Sequence, residues 1–218
     1  MKKNIVIYSN CHGNCIKGMF QSHPFTKDKY NVSYFNKYEK MFKEASGIPD
    51  EHIKQLNVCD ILIFTPFDKY YDYEILNKLK TEYLPKDVEI IKLNFYRFKG
   101  FWYDCDYKPF IQFVSSDNIK FLFNTLDYYG IHNSFRNFKN CNSKEDIVNK
   151  INSIEINEEE LNKYFEKNIE IFKKIDEDSD IKMYDFFIEN YKKKHLFHDP
   201  IHPTNIFLYE VFRKIVLK

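Results

Sequence analysis

Short runs of apolar, largely β-branched residues at Asn4–Tyr8, Asp60–Phe64 and Val88–Leu93 alternate along the chain with stretches of helical periodicity. Runs of this length, closed by polar or proline-containing segments, form buried strands rather than helices. Strands separated by helices cannot pair as tight hairpins, so they join through crossovers. The order predicts an α/β fold with a doubly wound, mostly parallel sheet.

A helix over Cys15–Gln21 follows the first strand, and a second strand is expected at Val32–Phe35. A helical stretch over Glu39–Gln55 is interrupted near Gly47-Ile48-Pro49, and another over Tyr73–Leu84 stops at Pro85. Ile119–Tyr129 reads as helix. Ser143-Lys144-Glu145-Asp146 has the form of a helix cap with an acidic first turn, and Asn157 followed by three glutamates opens a helix to about Ile175. The expectation is one α/β domain over 1–218. Its sheet core covers about 1–130, and a charge-rich helical section over about 143–194 packs on the sheet or caps the site. Residues 195–218 give a loop and a closing helix from Thr204.

The charges nearly cancel, with 33 Lys and Arg against 32 Asp and Glu, so the basic field that nucleic acid or an anionic membrane needs is missing. No run approaches the ~20 apolar residues of a membrane span, and the N-terminal apolar run is too short for a signal peptide. A cytoplasmic location is expected, with no nucleic-acid partner; the oligomeric state stays open. The 18% aromatic content is spread along the whole chain and points to no ligand class. Five scattered cysteines do not form a secreted disulfide framework and read as thiols.

Cys11 stands just beyond the first strand, in Ser9-Asn10-Cys11-His12-Gly13-Asn14. In a doubly wound sheet, ligands collect outside the carboxyl ends of the strands. A thiol ahead of a helix N-terminus is favoured as thiolate, and the same N–H groups can hold an oxyanion. Asn10, His12, Gly13 and Asn14 are therefore oxyanion or substrate-binding candidates, Gly13 because its backbone can approach a ligand or take a positive φ. The alternative is a small buried cysteine in a turn. Cys11, His12 and Cys15 match no structural zinc spacing, so no metal is expected.

Near the other end, His198-Asp199-Pro200-Ile201-His202-Pro203 places an aspartate three residues before a histidine between two prolines. Asp199 can orient the imidazole of His202 and leave its other nitrogen to take a proton from a thiol or hydroxyl. Taken singly, Asp199 also suits a cap for the closing helix, and His202 a hydrogen-bonded turn residue.

These two segments resemble a known pattern. SGNH hydrolases carry a Gly-Asp-Ser nucleophile after the first strand and an Asp-x-x-His near the C-terminus; Ser9-Asn10-Cys11 and Asp199-Pro200-Ile201-His202 stand in those places. The Asn-Cys pair and the late His202-Pro203 are more similar to the WcbI-type capsular polysaccharide biosynthesis family, whose first motif is Gly-Asn-Cys-Gln-like; here Ser9 and His12 replace its Gly and Gln. That resemblance implies an SGNH-like fold, coenzyme A binding and an acetyltransferase acting on a polysaccharide precursor. Thr65 and Asn94, after the next strands, are the nearest counterparts of the SGNH oxyanion residues. Arg97 and Lys99, in the aromatic segment Asn94–Trp102, are the candidates for holding coenzyme A; a buried aromatic loop is the other reading of that segment.

The expected function is acyl transfer from acetyl-coenzyme A to a sugar or glycan acceptor, through Cys11, His202 and Asp199. Acyl exchange between two thiols is nearly isoenergetic, which favours a transferase over a hydrolase. A direct route, with His202 deprotonating the acceptor and Cys11 lining the thioester site, is also open. An esterase or thioesterase with a cysteine nucleophile is the enzymatic alternative, and a non-catalytic glycan- or nucleotide-binding module the other.

Overall fold

A computed structural model of the chain describes residues 2–36, 48–66, 71–102, 105–106, 131–132, 143–153, 155 and 157–218. Two compact units are present. The first comprises Met1–Phe95, Lys174–Leu196 and Thr204–Lys218, and the second Tyr96–Lys173 and Phe197–Pro203.

The first unit is built on four parallel strands: β1 (Lys3–Ser9), β2 (Tyr30–Asn36), β3 (Ile61–Phe64) and β4 (Glu89–Lys92), in the order β2-β1-β3-β4. Within the unit lie α1 (Cys11–Ser22), α2 (Asp50–Asn57) and α3 (Tyr71–Glu82). β1 is central, and its Ile5, Val6, Ile7 and Tyr8 are all buried, as a strand covered on both faces requires. Val6 and Tyr8 join a core with Leu56 of α2, Leu62 and Phe64 of β3, and Leu76 and Leu79 of α3. Ile7 faces the other way, towards α1 at Gly13. The parallel α/β expectation is met. Strand order reverses at β1, where the chain first runs to β2 and later returns to β3; the ends of β1 and β3 therefore form a topological switch point.

In the second unit, α4 (Lys144–Asn152) begins with a capping box: Ser143 N–H donates to Asp146 Oδ2 and Asp146 N–H to Ser143 Oγ, both at 3.0 Å. Asn157 caps α5 (Glu158–Glu177) by accepting from the N–H groups of Glu159 and Glu160. Two short pairs, β5 (Cys105–Asp106) with β6 (Ile131–His132) and β7 (Phe197–Asp199) with β8 (His202–Pro203), are antiparallel. Phe98 is the hub of this unit's core, ringed by Phe101, Phe165, Phe172 and Phe197 at centroid distances of 4.9, 5.5, 6.2 and 6.1 Å.

The last turn of α5 returns to the first unit. There the buried Asp176 carboxylate accepts from the N–H groups of Met183 and Tyr184 and so starts α6 (Tyr184–Asn190), and α7 (Asn205–Leu217) packs Phe212 against Phe20 of α1. The helix expected at Ile119–Tyr129, and residues 39–47 of the stretch expected from Glu39, lie outside the described residues. Among those described, no helix is long and apolar enough to cross a membrane.

Candidate active site

The turn after β1 is tighter than the sequence predicts, because α1 begins at Cys11 itself and not at Cys15. Asn10 is the reason. It takes extended backbone angles at the cap position, its side-chain oxygen accepts from His12 N–H at 3.2 Å, and its carbonyl accepts from Gly13 N–H at 2.9 Å. The same carbonyl accepts from the Tyr34 hydroxyl at 2.8 Å, which ties the turn to β2. Ser9 Oγ lies within hydrogen-bond distance of both Asn10 Oδ1 (3.2 Å) and Thr65 Oγ1 (2.9 Å), and Thr65 N–H donates to Tyr8 O, so the β3 end is bound to the β1 end. Cys11 is exposed in the first turn of α1, at the switch point.

This geometry sorts the expected ligand-facing groups. The N–H groups of His12 and Gly13 donate to Asn10, which turns both towards the fold. Gly13 is buried, and a Cβ there would stand 2.5 Å from Ser9 Cβ and 2.9 Å from Ile7 Cγ2. Its lack of a side chain lets α1 lie against β1, so the close approach is to the protein's own strand. His12 is buried and stacks on Phe95 at 5.2 Å, whereas Asn14 is exposed. Thr65 is buried in the Ser9 contact. Asn94 is also buried, and its amide donates to the Ile175 carbonyl in the last turn of α5, turning its donor towards the fold. The contact roles of Ser9, Tyr34 and Phe95 escape the sequence reading, since neither a serine's partner nor an aromatic's is written in the residues beside it.

In the second unit, Asp199-Pro200-Ile201-His202 forms the turn of the β7–β8 hairpin, with proline at the second turn position where its fixed φ fits. Asp199 Oδ1 accepts from the N–H groups of Ile201 (2.9 Å) and His202 (3.0 Å), and Oδ2 lies 2.6 Å from His202 Nδ1. Asp199 is 7% exposed, while the His202 side chain is 36% exposed. A proton held on Nδ1 by the carboxylate leaves the imidazole lone pair on Nε2, the tautomer a general base needs. Asp199 does not cap the closing helix: Thr204 occupies that position, and its hydroxyl donates to His195 O.

Phe98 N–H donates to Pro200 O at 2.9 Å and pins the hairpin tip to the aromatic segment. Burial alternates along that segment, with Tyr96, Phe98 and Gly100 inside, Arg97 exposed and Lys99 half-buried. The buried aromatic loop is therefore present, and the two cations alternate with its buried residues. Arg97 and Lys99 line a cavity of about 210 Å³ with Asn168 and Ile171, and none of its described lining residues is a carboxylate. Among the described residues, no three His, Cys, Asp or Glu side chains are grouped so as to hold a metal ion.

No curated protein matches the chain. A solved structure of WcbI, described as a novel polysaccharide biosynthesis enzyme in its native form without a disulfide bond between coenzyme A and one of its cysteines, has the same fold. The likeness has a TM-score of 0.63 at 14% identity and covers 100% of this chain and 69% of the other. The family model described as polysaccharide biosynthesis enzyme WcbI matches residues 4–218. With that match over nearly its whole length, the chain belongs to the WcbI family of polysaccharide biosynthesis enzymes.

Proposed function

We propose that this enzyme transfers an acyl group, acetyl in the simplest case, from coenzyme A to a hydroxyl or amine of a sugar in a surface-polysaccharide precursor. The observation that carries the reading is the Asp199–His202 pair: a buried carboxylate holding two backbone N–H groups and one imidazole nitrogen, a device for setting the tautomer and aim of a base. The coenzyme A named for the solved WcbI structure supports the donor. Cationic Arg97 and Lys99, beside a cavity with no carboxylate among its described lining residues, have the chemistry to hold its phosphates.

In this reading Cys11 Sγ attacks the thioester carbonyl, the Cys11 thioester forms, and the coenzyme A thiolate leaves with a proton. The acceptor hydroxyl then attacks that thioester while His202 takes its proton and returns it to the departing Cys11 sulfur. Asp199 stabilises the imidazolium between the two events. Cys11 after β1 and the Asp-x-x-His before the closing helix also support an SGNH-hydrolase-like order of motifs along the chain.

Intact-protein mass spectrometry after brief incubation with acetyl-coenzyme A tests this. An adduct of one acetyl mass is expected on the native chain and on His202→Ala after longer exposure, and none on Cys11→Ala. Absence of any adduct, together with no thermal stabilisation by coenzyme A, would overturn the proposal.

A further inference from the structure

A second cavity, of about 290 Å³, opens at the other end of the sheet from Cys11 and belongs wholly to the first unit. Its walls come from His23 after α1, Lys29 and Tyr30 at the start of β2, and Tyr209, Phe212 and Arg213 of α7. Tyr30 pairs with Lys3 and Asn36 with Ser9, so six residue steps of strand, roughly 20 Å, separate this cavity from the Cys11 turn.

The floor is rigid. Phe20, buried in α1, meets Tyr30 and Phe212 edge-on at 5.5 and 5.0 Å, and the His23 ring leans on Phe212 at 5.3 Å. Tyr209 is half-exposed, its hydroxyl 3.5 Å from His23 Nε2. Two cations stand at the rim. Lys29 lies 4.5 Å over the exposed Phe25 ring, and Arg213 is held by Glu210 through Nε and a terminal nitrogen at 2.7 and 2.6 Å. Glu210 offsets Arg213, so Lys29 supplies the net positive charge of the rim, and no carboxylate is among the described residues that line the cavity.

We propose that this cavity is an anchoring site for an acidic polysaccharide chain, remote from the reacting centre. Aromatic faces suit the C–H faces of a pyranose ring, and the Lys29 ammonium at the rim suits a uronate carboxylate. The volume, near the lower end of the ~300–1,000 Å³ of small-molecule sites, fits a single sugar ring and not a nucleotide cofactor. The inference rests on the family's place in polysaccharide synthesis and on this geometry, and does not depend on acyl transfer at Cys11.

Calorimetric titration of the full chain with oligogalacturonate, and with a maltooligosaccharide of equal length, tests it. Oligogalacturonate is expected to bind the native chain and Cys11→Ala alike. Binding should weaken with added salt and fall by about tenfold or more in Tyr209→Ala and Lys29→Glu. These are surface changes whose folding is checked by circular dichroism. The maltooligosaccharide should bind more weakly. No binding of oligogalacturonate, or binding unchanged in both variants, would overturn the proposal. So would a change of sedimentation mass in the variants without glycan binding, which would make the surface a self-association face. No acyl donor is present in the titration, so either outcome leaves the reaction at Cys11 to be judged separately.

Discussion

Cysteine chemistry in this chain is decided by where each thiol is held. Cys11 is exposed in the first turn of α1, within reach of a reagent from solvent. Cys59 is buried beside β3, its Sγ 3.1 Å from Ile61 O, and burial pushes its thiol up to about 11. Brief iodoacetamide treatment at pH 8 with peptide mapping should therefore modify Cys11 and spare Cys59 until the chain is unfolded. The Asp199–His202 pair gives a second expectation at this scale. Asp199→Asn keeps an acceptor for the Ile201 and His202 N–H groups but removes the charge that would steady an imidazolium, so under the proposed mechanism acyl transfer should fall by about 10²–10⁴-fold with little loss of stability. Asp199→Ala should in addition destabilise by about 1–3 kcal/mol, read from urea unfolding, because two backbone donors lose their partner.

Helix α1 is positioned by glycine at one point and merely tolerates it at another. A Cβ on Gly13 would collide with Ser9, Ile7 and the Tyr34 ring at 2.5, 2.9 and 3.0 Å, and two of these belong to β1. Gly13→Ala must lift the helix from the strand, and a cost of about 1–3 kcal/mol in urea unfolding is expected, together with altered Cys11 reactivity. Gly18 is exposed on the same helix, and a Cβ added there would meet nothing within 4 Å. Gly18→Ala should stabilise the protein by about 0.5–1 kcal/mol through helix propensity alone. The two substitutions share one chemistry and differ in sign because only one of them faces a neighbour.

For the whole molecule, ligand binding should appear as stability. With coenzyme A as the proposed donor, a hundredfold excess over its dissociation constant should add about 2.7 kcal/mol, which for a chain of this size is a rise of about 5–10 °C in Tm. The rise should shrink in the double variant Arg97→Glu, Lys99→Glu if the cavity they line holds the phosphates, and differential scanning fluorimetry reads this directly. The amino-acid sequence by itself determined the parallel α/β class, the strands around Ile5–Tyr8 and Ile61–Phe64, the Ser143 and Asn157 caps and the Asp-x-x-His turn. Each is set by residues within a few positions of one another, through side-chain periodicity, proline and cap chemistry. Only the tertiary structure decided that α1 starts at Cys11, that Gly13 serves packing, that the Asn94 amide goes to Ile175, and that Arg97 and Lys99 share a cavity with Asn168. Most of those outcomes depend on a partner far away in the chain, and local sequence does not encode which distant backbone or ring a side chain will meet.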